Sequence, residues 1–243
     1  MKAKFTFIVA IVACVCTGVF AQSVTLTAKK VTYKRPKPIS EYKKTFVITY
    51  PKIKAATPAI SRKIEDVLSY EKAFDFKLSE EMKDTQWLEE ASYDVNYNAN
   101  KLLSISLTIE GTAAYPSSST RHIVVNTTTG VRVRATDVFI NTSRLLAKIV
   151  KMKDAEVKKA IADLKKDPET KDEDFSSIFN DAETYNKVKL DEFEIDENGV
   201  NFHHNYGFPH VAQALQPNGE FFLTWAELKP YIKSGSLLSP FAR

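Results

Sequence analysis

The chain has 243 residues and two cysteines, Cys14 and Cys16, which both lie in an apolar stretch near its start. The rest of the sequence offers no thiol, which excludes structural disulfides, thiolate zinc sites and a cysteine nucleophile there. Glycine is also scarce, at 7 residues. No glycine-rich loop that could cradle a phosphate is present, which excludes the two common nucleotide-binding motifs.

Charge of one sign is not in excess. The formal net charge is +4, and two of the lysines, Lys2 and Lys4, belong to the initial apolar segment, so the remainder is close to neutral. This balance excludes nucleic acid as an expected partner. After residue 21 no run approaches 18 consecutive apolar residues, so we expect no transmembrane segment in the mature chain.

Residues 1–21 have the pattern of a secretory signal peptide. Two lysines precede an apolar run, and Val19 and Ala21 are the small residues at positions −3 and −1 of a cleavage site before Gln22. The pattern predicts cleavage and a secreted or periplasmic protein. A lipoprotein acylated at Cys14 is the alternative, because a lipobox-like sequence precedes that cysteine.

Two segments follow the leader. Residues 22–44 form a basic arm, which we interpret as an edge strand with solvated lysines; attachment to an anionic envelope polymer is the alternative. Residues 45–235 have the mixed composition of one folded domain, or of two intimate subdomains over about 45–110 and 111–235.

Alternating apolar residues predict strands that are joined mostly as hairpins. The predicted strands are one ending at Pro51, Tyr93–Tyr97 with Leu103–Ile109, His122–Asn126 with Val131–Val138, Lys187–Ile195 with Val200–His204, and Glu220–Leu223.

Helical spacing predicts one helix from Pro58 to about Tyr70 with Thr57 as its cap, and one long or two short helices over 143–166. A weaker helix lies around Phe175–Phe179, and Thr224 with Glu227 has the pattern of a capping box. Since the elements lack regular βαβ alternation, we expect an α+β fold in which an antiparallel sheet of hairpins packs against two or three helices.

The histidines His203, His204 and His210 are the candidates for metal or catalytic chemistry. Adjacent residues of a strand point to opposite faces, so His203 and His204 cannot both ligate one ion. One of them, with His210 and either Glu192 or Glu194, could serve a metal-dependent enzyme or envelope hydrolase. Because a metal site needs three or four converging ligands, we expect no metal, no cofactor and no catalytic residue.

The segment Ser117–Ser119 precedes His122 and could suggest a serine nucleophile with its base. The glycines of a nucleophile elbow are absent, so we interpret the serines as a polar loop.

The loop 205–209 places Tyr206 and Phe208 beside a glycine and a proline, where a strand should end. Such loops often carry function, and aromatic residues dominate interface hot spots. We therefore expect Tyr206, Phe208, His204 and His210 to bind a partner. The alternative is that Tyr206 and Phe208 fold inward as a lid on the core.

Several short segments occur in the order found in a known family. They are Phe46–Ile53 followed by a helix from Pro58, Tyr93–Tyr97, Leu103–Leu107, Thr129–Gly130 with Asp137–Phe139, and Phe221–Tyr231. Over roughly residues 44–235 the chain resembles the extracytoplasmic domain family of the lysozyme-sensing anti-sigma factor RsiV and the N-terminal part of the deacetylase PdaC. It departs from that family at Thr112–Pro116 and His203–Gly207, where many members have glycine-rich turns.

The resemblance implies an exported binding or sensor-like domain of the cell envelope without catalytic activity. In RsiV-like members the ligand is lysozyme. The expected partner is therefore a protein such as lysozyme, or a peptidoglycan-type glycan.

Overall fold

The structure, a computed structural model, describes residues 23–40, 42–166, 168 and 174–242. The predicted signal peptide, its cleavage site before Gln22 and the cysteine of the lipobox lie outside these residues. No helix within the described ranges has the length and apolar character needed to cross a membrane.

Among the described residues, six strands form the larger sheet, in the same order in space as along the chain. They are β1 (Thr25–Lys34), β2 (Thr45–Lys54), β3 (Leu88–Ala99), β4 (Leu102–Thr112), β5 (Pro116–Asn126) and β6 (Val131–Arg132). Neighbours are antiparallel except β2 and β3, which run parallel over a short contact. The predicted β3–β4 hairpin is confirmed, and Asn100 and Lys101 at its turn have the positive φ angles of 52° and 66° that a tight hairpin requires.

Within the basic arm, Thr25–Lys34 forms one edge strand of this sheet, as predicted. β1 pairs with β2 along its whole length, and Lys29, Lys30 and Lys34 are exposed. Arg35 differs from these lysines because it is buried. Its guanidinium donates to the main-chain oxygens of Lys43 and Leu88, at 2.6 and 2.7 Å.

Three short helices follow β2 in the fully described segment before β3. They are α1 (Pro58–Val67), α2 (Tyr70–Phe74) and α3 (Leu78–Glu81). α1 begins as predicted: the Thr57 hydroxyl accepts the N–H of Ile60 at 3.2 Å, and Pro58 occupies the first helical position. The buried Ile64 packs into the apolar cluster on one face of the large sheet.

Among the described residues, the α-helices between β6 and the second sheet are α4 (Ala135–Val138), α5 (Thr142–Leu164) and α6 (Ser176–Asn180). The prediction of a strand over Val131–Val138 is wrong beyond Arg132, because side chains stabilise a helical turn there. The Asp137 carboxylate accepts the N–H of Arg134, and the Asp191 carboxylate accepts that of Ala135, both at 2.8 Å. α5 is one continuous helix rather than two.

In the described part of the chain, three more strands form a second, antiparallel sheet. They are β7 (Phe193–Ile195), β8 (Gly199–His203) and β9 (Glu220–Thr224), and α7 (Trp225–Leu228) follows. The strand predicted from Lys187 is wrong before Phe193, because Val188–Asp191 forms a 3₁₀ turn. The capping box is confirmed: the Thr224 hydroxyl accepts the N–H of Glu227, whose carboxylate accepts the N–H of Thr224.

The second sheet packs on one face of the large sheet and buries β4 on both sides. Leu103, Ile105 and Leu107 join the apolar cluster that contains α1. Ser104 and Ser106 point the other way, toward β7, and the Ser104 hydroxyl accepts the N–H of Ile195 at 2.9 Å. This packing places polar residues of both sheets in one interface, and the architecture is α+β as predicted.

Candidate functional site

A β-bulge in β3 directs the Asn96 side chain toward the interface of the two sheets. The register between β3 and β4 shifts between Val95 and Tyr97, so Asn96 has no direct cross-strand partner. Its Nδ2 donates to the Ser106 hydroxyl at 2.8 Å and to Glu194 Oε2 at 2.6 Å. Bulges are frequent near functional sites because they redirect a side chain in this way.

Glu194 lies at the centre of a cluster with two histidines. His122 on β5 is the cross-strand neighbour of Ser106. On β8, Asn201 and His203 share one face because side chains alternate along a strand, and Asn201 pairs with Glu194 on β7. Three strands from two sheets therefore bring His122, Glu194 and His203 together.

The distances within this cluster are short. His122 Nδ1 lies 3.2 Å from Glu194 Oε2, and His203 Nε2 lies 3.5 Å from Oε1. The two imidazole rings are stacked, with centroids 3.5 Å apart and planes inclined by 6°. The three side chains keep between 14% and 23% of their surface exposed, so the cluster can be reached from solvent.

The cluster keeps its carboxylate ionised. Burial tends to raise the pKa of Glu194, but the adjacent imidazoles of His122 and His203 outweigh burial and hold that pKa well below its usual range. Two buried polar atoms beside the carboxylate, Nε2 of His203 and Oδ1 of Asn201, have no hydrogen-bond partner among the described residues.

The combination of His203 or His204 with His210, which the sequence left as the alternative, does not form among the described residues. His203, the last residue of β8, contacts Glu194, whereas His204, the next residue, does not join this cluster. His204 is buried and donates from Nε2 to the main-chain oxygen of Glu183 at 2.9 Å. His210 is exposed and stacks on Tyr115, with ring centroids 4.2 Å apart.

The expectation that Tyr206 and Phe208 form an exposed binding surface is wrong. Tyr206 is fully buried and Phe208 is 5% exposed. They pack with Phe179 against α5, and the Tyr206 hydroxyl donates to Glu156 Oε2 at 2.7 Å. The loop is therefore a lid on the core, which was the alternative from sequence.

From the sequence, His122 was a possible base for Ser117–Ser119 and Glu194 a possible metal ligand, but the contact between them was not predicted. The serines Ser117–Ser119 lie in β5 rather than in a polar loop, and this strand carries His122. The alternation of Ser104 and Ser106 with apolar residues in β4 could have indicated the site. It marks a strand face that needs polar partners.

Asn96 contacts Glu194 of the cluster and also lines an open cleft of about 700 Å³. Its lining consists of residues 95–100 of β3 and its turn, Glu197 and Asn198 between β7 and β8, and Phe241 near the C-terminus. The Phe241 ring stacks on Trp225 at 4.2 Å between centroids. The indole N–H of Trp225 donates to the main-chain oxygen of Glu197 at 2.9 Å, which fixes this wall of the cleft.

Part of the cleft's polar lining is already engaged. Asn98 bonds through both ends of its amide to the main chain of Val24, and Asn100 Nδ2 donates to the Tyr97 hydroxyl at 2.6 Å. Within the described ranges, the Glu197 carboxylate and the Asn198 amide make no side-chain hydrogen bond. These two groups are available to a ligand.

No family model matches the chain, and no curated protein matches it. Among solved structures, it is similar to a DUF3298 family protein from Pseudomonas aeruginosa, with a TM-score of 0.53 and 10% sequence identity over 88% of this chain and 95% of that chain. A member of the same family from Bacteroides fragilis is 12% identical over 90% and 98% of the two chains, with a TM-score of 0.49. The first likeness shows a shared fold with a protein of a family whose function is unknown. The resemblance to RsiV and PdaC is not confirmed by these comparisons.

Proposed function

We propose that this protein is an exported binding domain of the cell envelope that holds a peptidoglycan-type glycan in the cleft beside β3, without catalytic activity. The observation that supports this proposal is the lining of the cleft. Among the described residues, it combines four asparagines, the carboxylate of Glu197 and the aromatic ring of Phe241 around about 700 Å³. This volume lies within the range of ligand pockets in proteins.

The lining suits the chemistry of a sugar. Sugar hydroxyls donate and accept hydrogen bonds, and an asparagine amide offers both functions in one plane. An aromatic ring can pack on the apolar face of a pyranose, and Trp225 holds the Phe241 ring in place. Asn98 and Asn100 are fixed by their own hydrogen bonds, so the cleft is preorganised and loses little entropy on binding.

The same lining supports binding rather than hydrolysis. Most glycoside hydrolases place two carboxyl groups on opposite sides of the scissile bond. Among the described residues that line the cleft, Glu197 is the one carboxylate. We therefore propose a role in recognition.

Titration of the purified protein with soluble peptidoglycan fragments, followed by calorimetry, tests the proposal. Asn198→Ala should weaken binding about fivefold, since one hydrogen bond contributes roughly 1 kcal/mol. Gln213→Ala removes an exposed amide outside the cleft and should leave the affinity unchanged.

Lysozyme, the partner implied by the family resemblance, is titrated in parallel. Binding of lysozyme with no binding of fragments would replace the glycan proposal with a protein partner. Equal affinities in the wild type and the folded Asn198→Ala and Glu197→Gln variants would remove the cleft from the site.

A further inference from the structure

We propose that His122, Glu194 and His203 form a binding site for one divalent transition-metal ion, with zinc as the first candidate. Two imidazoles and one carboxylate are ligands that zinc uses in sites that keep an open position. Imidazole also distinguishes such ions from magnesium and calcium, which prefer oxygen ligands. This site is not the combination of His203 with His204 and His210 considered from the sequence.

The spacing of the ligand atoms fits a coordination shell. The candidate ligand atoms of the three side chains all lie within 4.8 Å of one another. Two ligands bonded to a tetrahedral zinc ion at about 2.0–2.1 Å are about 3.3 Å apart. The observed separations of 3.2 Å from His122 Nδ1 and 3.5 Å from His203 Nε2 to the nearest Glu194 oxygens are close to this value.

The unpartnered nitrogen of His203 is an independent observation that points to a ligand. Buried polar atoms nearly always have a partner, and Nε2 of His203 has none among the described residues. Glu194 Oε1 lies 3.5 Å from this nitrogen, which is long for a hydrogen bond. A bond from Nε2 to a metal ion would satisfy this atom.

The stacked rings also favour a metal ion over protons. If both imidazoles were protonated, two positive rings would face each other at 3.5 Å between centroids. One divalent ion could instead be bound by the Glu194 carboxylate and by a nitrogen of each ring. Zinc binding requires neutral imidazoles and an ionised carboxylate.

The neighbouring side chains orient the carboxylate for this role. Asn96 Nδ2 and the Ser106 hydroxyl both contact Glu194 Oε2, at 2.6 and 3.3 Å. They leave Oε1 beside Nε2 of His203. Partners of this kind fix metal ligands in place, and their loss usually weakens metal binding about 10- to 100-fold.

The site is partly open, with 14–23% of the three side chains exposed. Three protein ligands leave a coordination position for water or for a group of a partner molecule. The inference does not rest on the glycan proposal, because none of the three metal ligands lines the cleft.

Zinc binding by untagged protein, first treated with a chelator and then titrated with Zn²⁺ alone, tests the inference. We expect one ion per chain in the wild type. His203→Ala and Glu194→Gln should each weaken binding at least tenfold, and Asn96→Ala about 10- to 100-fold. His210→Ala is the matched control, because His210 is exposed and stacks on Tyr115 outside the cluster.

The wild type provides a second measurement that does not depend on the variants folding. The chain has four histidines, so NMR can follow each imidazole during the titration. Zinc should shift the ring signals of His122 and His203 and leave that of His210 in place. Failure of the folded wild type to bind one ion, full binding by folded His203→Ala, or shifts confined to other histidines would each overturn the inference.

Discussion

The imidazole rings of His122 and His203 lie face to face, with centroids 3.5 Å apart, although one belongs to the large sheet and the other to the small sheet. Glu194 contacts a nitrogen of each ring. This contact between the sheets sets the geometry of the proposed metal site.

Replacing Arg35 with methionine should lower the free energy of unfolding by about 3–5 kcal/mol. The change would leave the Glu81 carboxylate, whose side chain is 5% exposed, without its buried cation at 3.4 Å. Urea denaturation measures the loss. Arg144→Met, at an exposed position of α5, should stay within about 0.5 kcal/mol of the wild type. Equal effects of the two substitutions would contradict the role given to the ion pair.

Phe208→Ala should cost about 3–5 kcal/mol of stability, because it opens a cavity among packed aromatic rings. The Phe208 ring meets Phe179 edge to face at 5.1 Å between centroids. Thermal denaturation compares it with Val211→Ala, which removes a side chain from a residue that is 88% exposed. If both variants retained wild-type stability, Phe208 would not be the core residue that the structure shows.

His204 should make stability depend on pH between about 6.5 and 4. Burial, followed by the charge of Lys189, lowers its pKa from 6.5 to about 4. In this interval the unfolded chain binds a proton that the folded chain excludes, so stability falls as the pH falls. The full difference is at most about 3.5 kcal/mol, since one pKa unit corresponds to about 1.4 kcal/mol.

Two measurements check this prediction: NMR titration of the His204 ring, and urea denaturation at pH 7 and pH 5 for the wild type and His204→Gln. The variant should lose less stability between the two pH values. A His204 ring that titrates near pH 6.5 in the folded protein would show that its burial has no such effect.

Gly219→Ala should destabilise the fold more than Gly235→Ala. Both glycines have positive φ angles, of 71° and 73°, which cost an alanine about 1–2 kcal/mol. At Gly219 the added Cβ would also lie 2.0 Å from the main-chain oxygen of His204, whereas nothing lies within 4 Å at Gly235. This clash should add about 1–3 kcal/mol. Calorimetric melting of the two variants measures the difference, and equal melting temperatures would exclude the clash.

Features that depend on residues close together in the chain could be predicted from the sequence. The cap at Thr57, the capping box at Thr224 and the hairpin turn at Asn100 each need side chains and main-chain groups only a few residues apart. Their interactions are nearly independent of the rest of the fold. The strand predicted over Val131–Val138 was wrong beyond Arg132 because a carboxylate distant in the sequence, that of Asp191, helps to stabilise the helical turn.

The direction of Tyr206 and Phe208 could not be predicted. Aromatic residues beside glycine and proline are found both at exposed binding loops and in lids on a core. The choice depends on what lies below the loop, and here α5 supplies an apolar surface and the Glu156 carboxylate for the Tyr206 hydroxyl.

By itself, the sequence determined that β4 alternates apolar residues with Ser104 and Ser106, because side-chain direction along a strand has a period of two. It did not determine what covers the serine face. The tertiary structure decided that the second sheet packs there, which buries the apolar residues of both sheets and brings Glu194 and His203 against Ser106 and His122. The alternation of side chains is a local property of a strand. Which distant element packs on that strand depends on the apolar surface that the whole chain can bury.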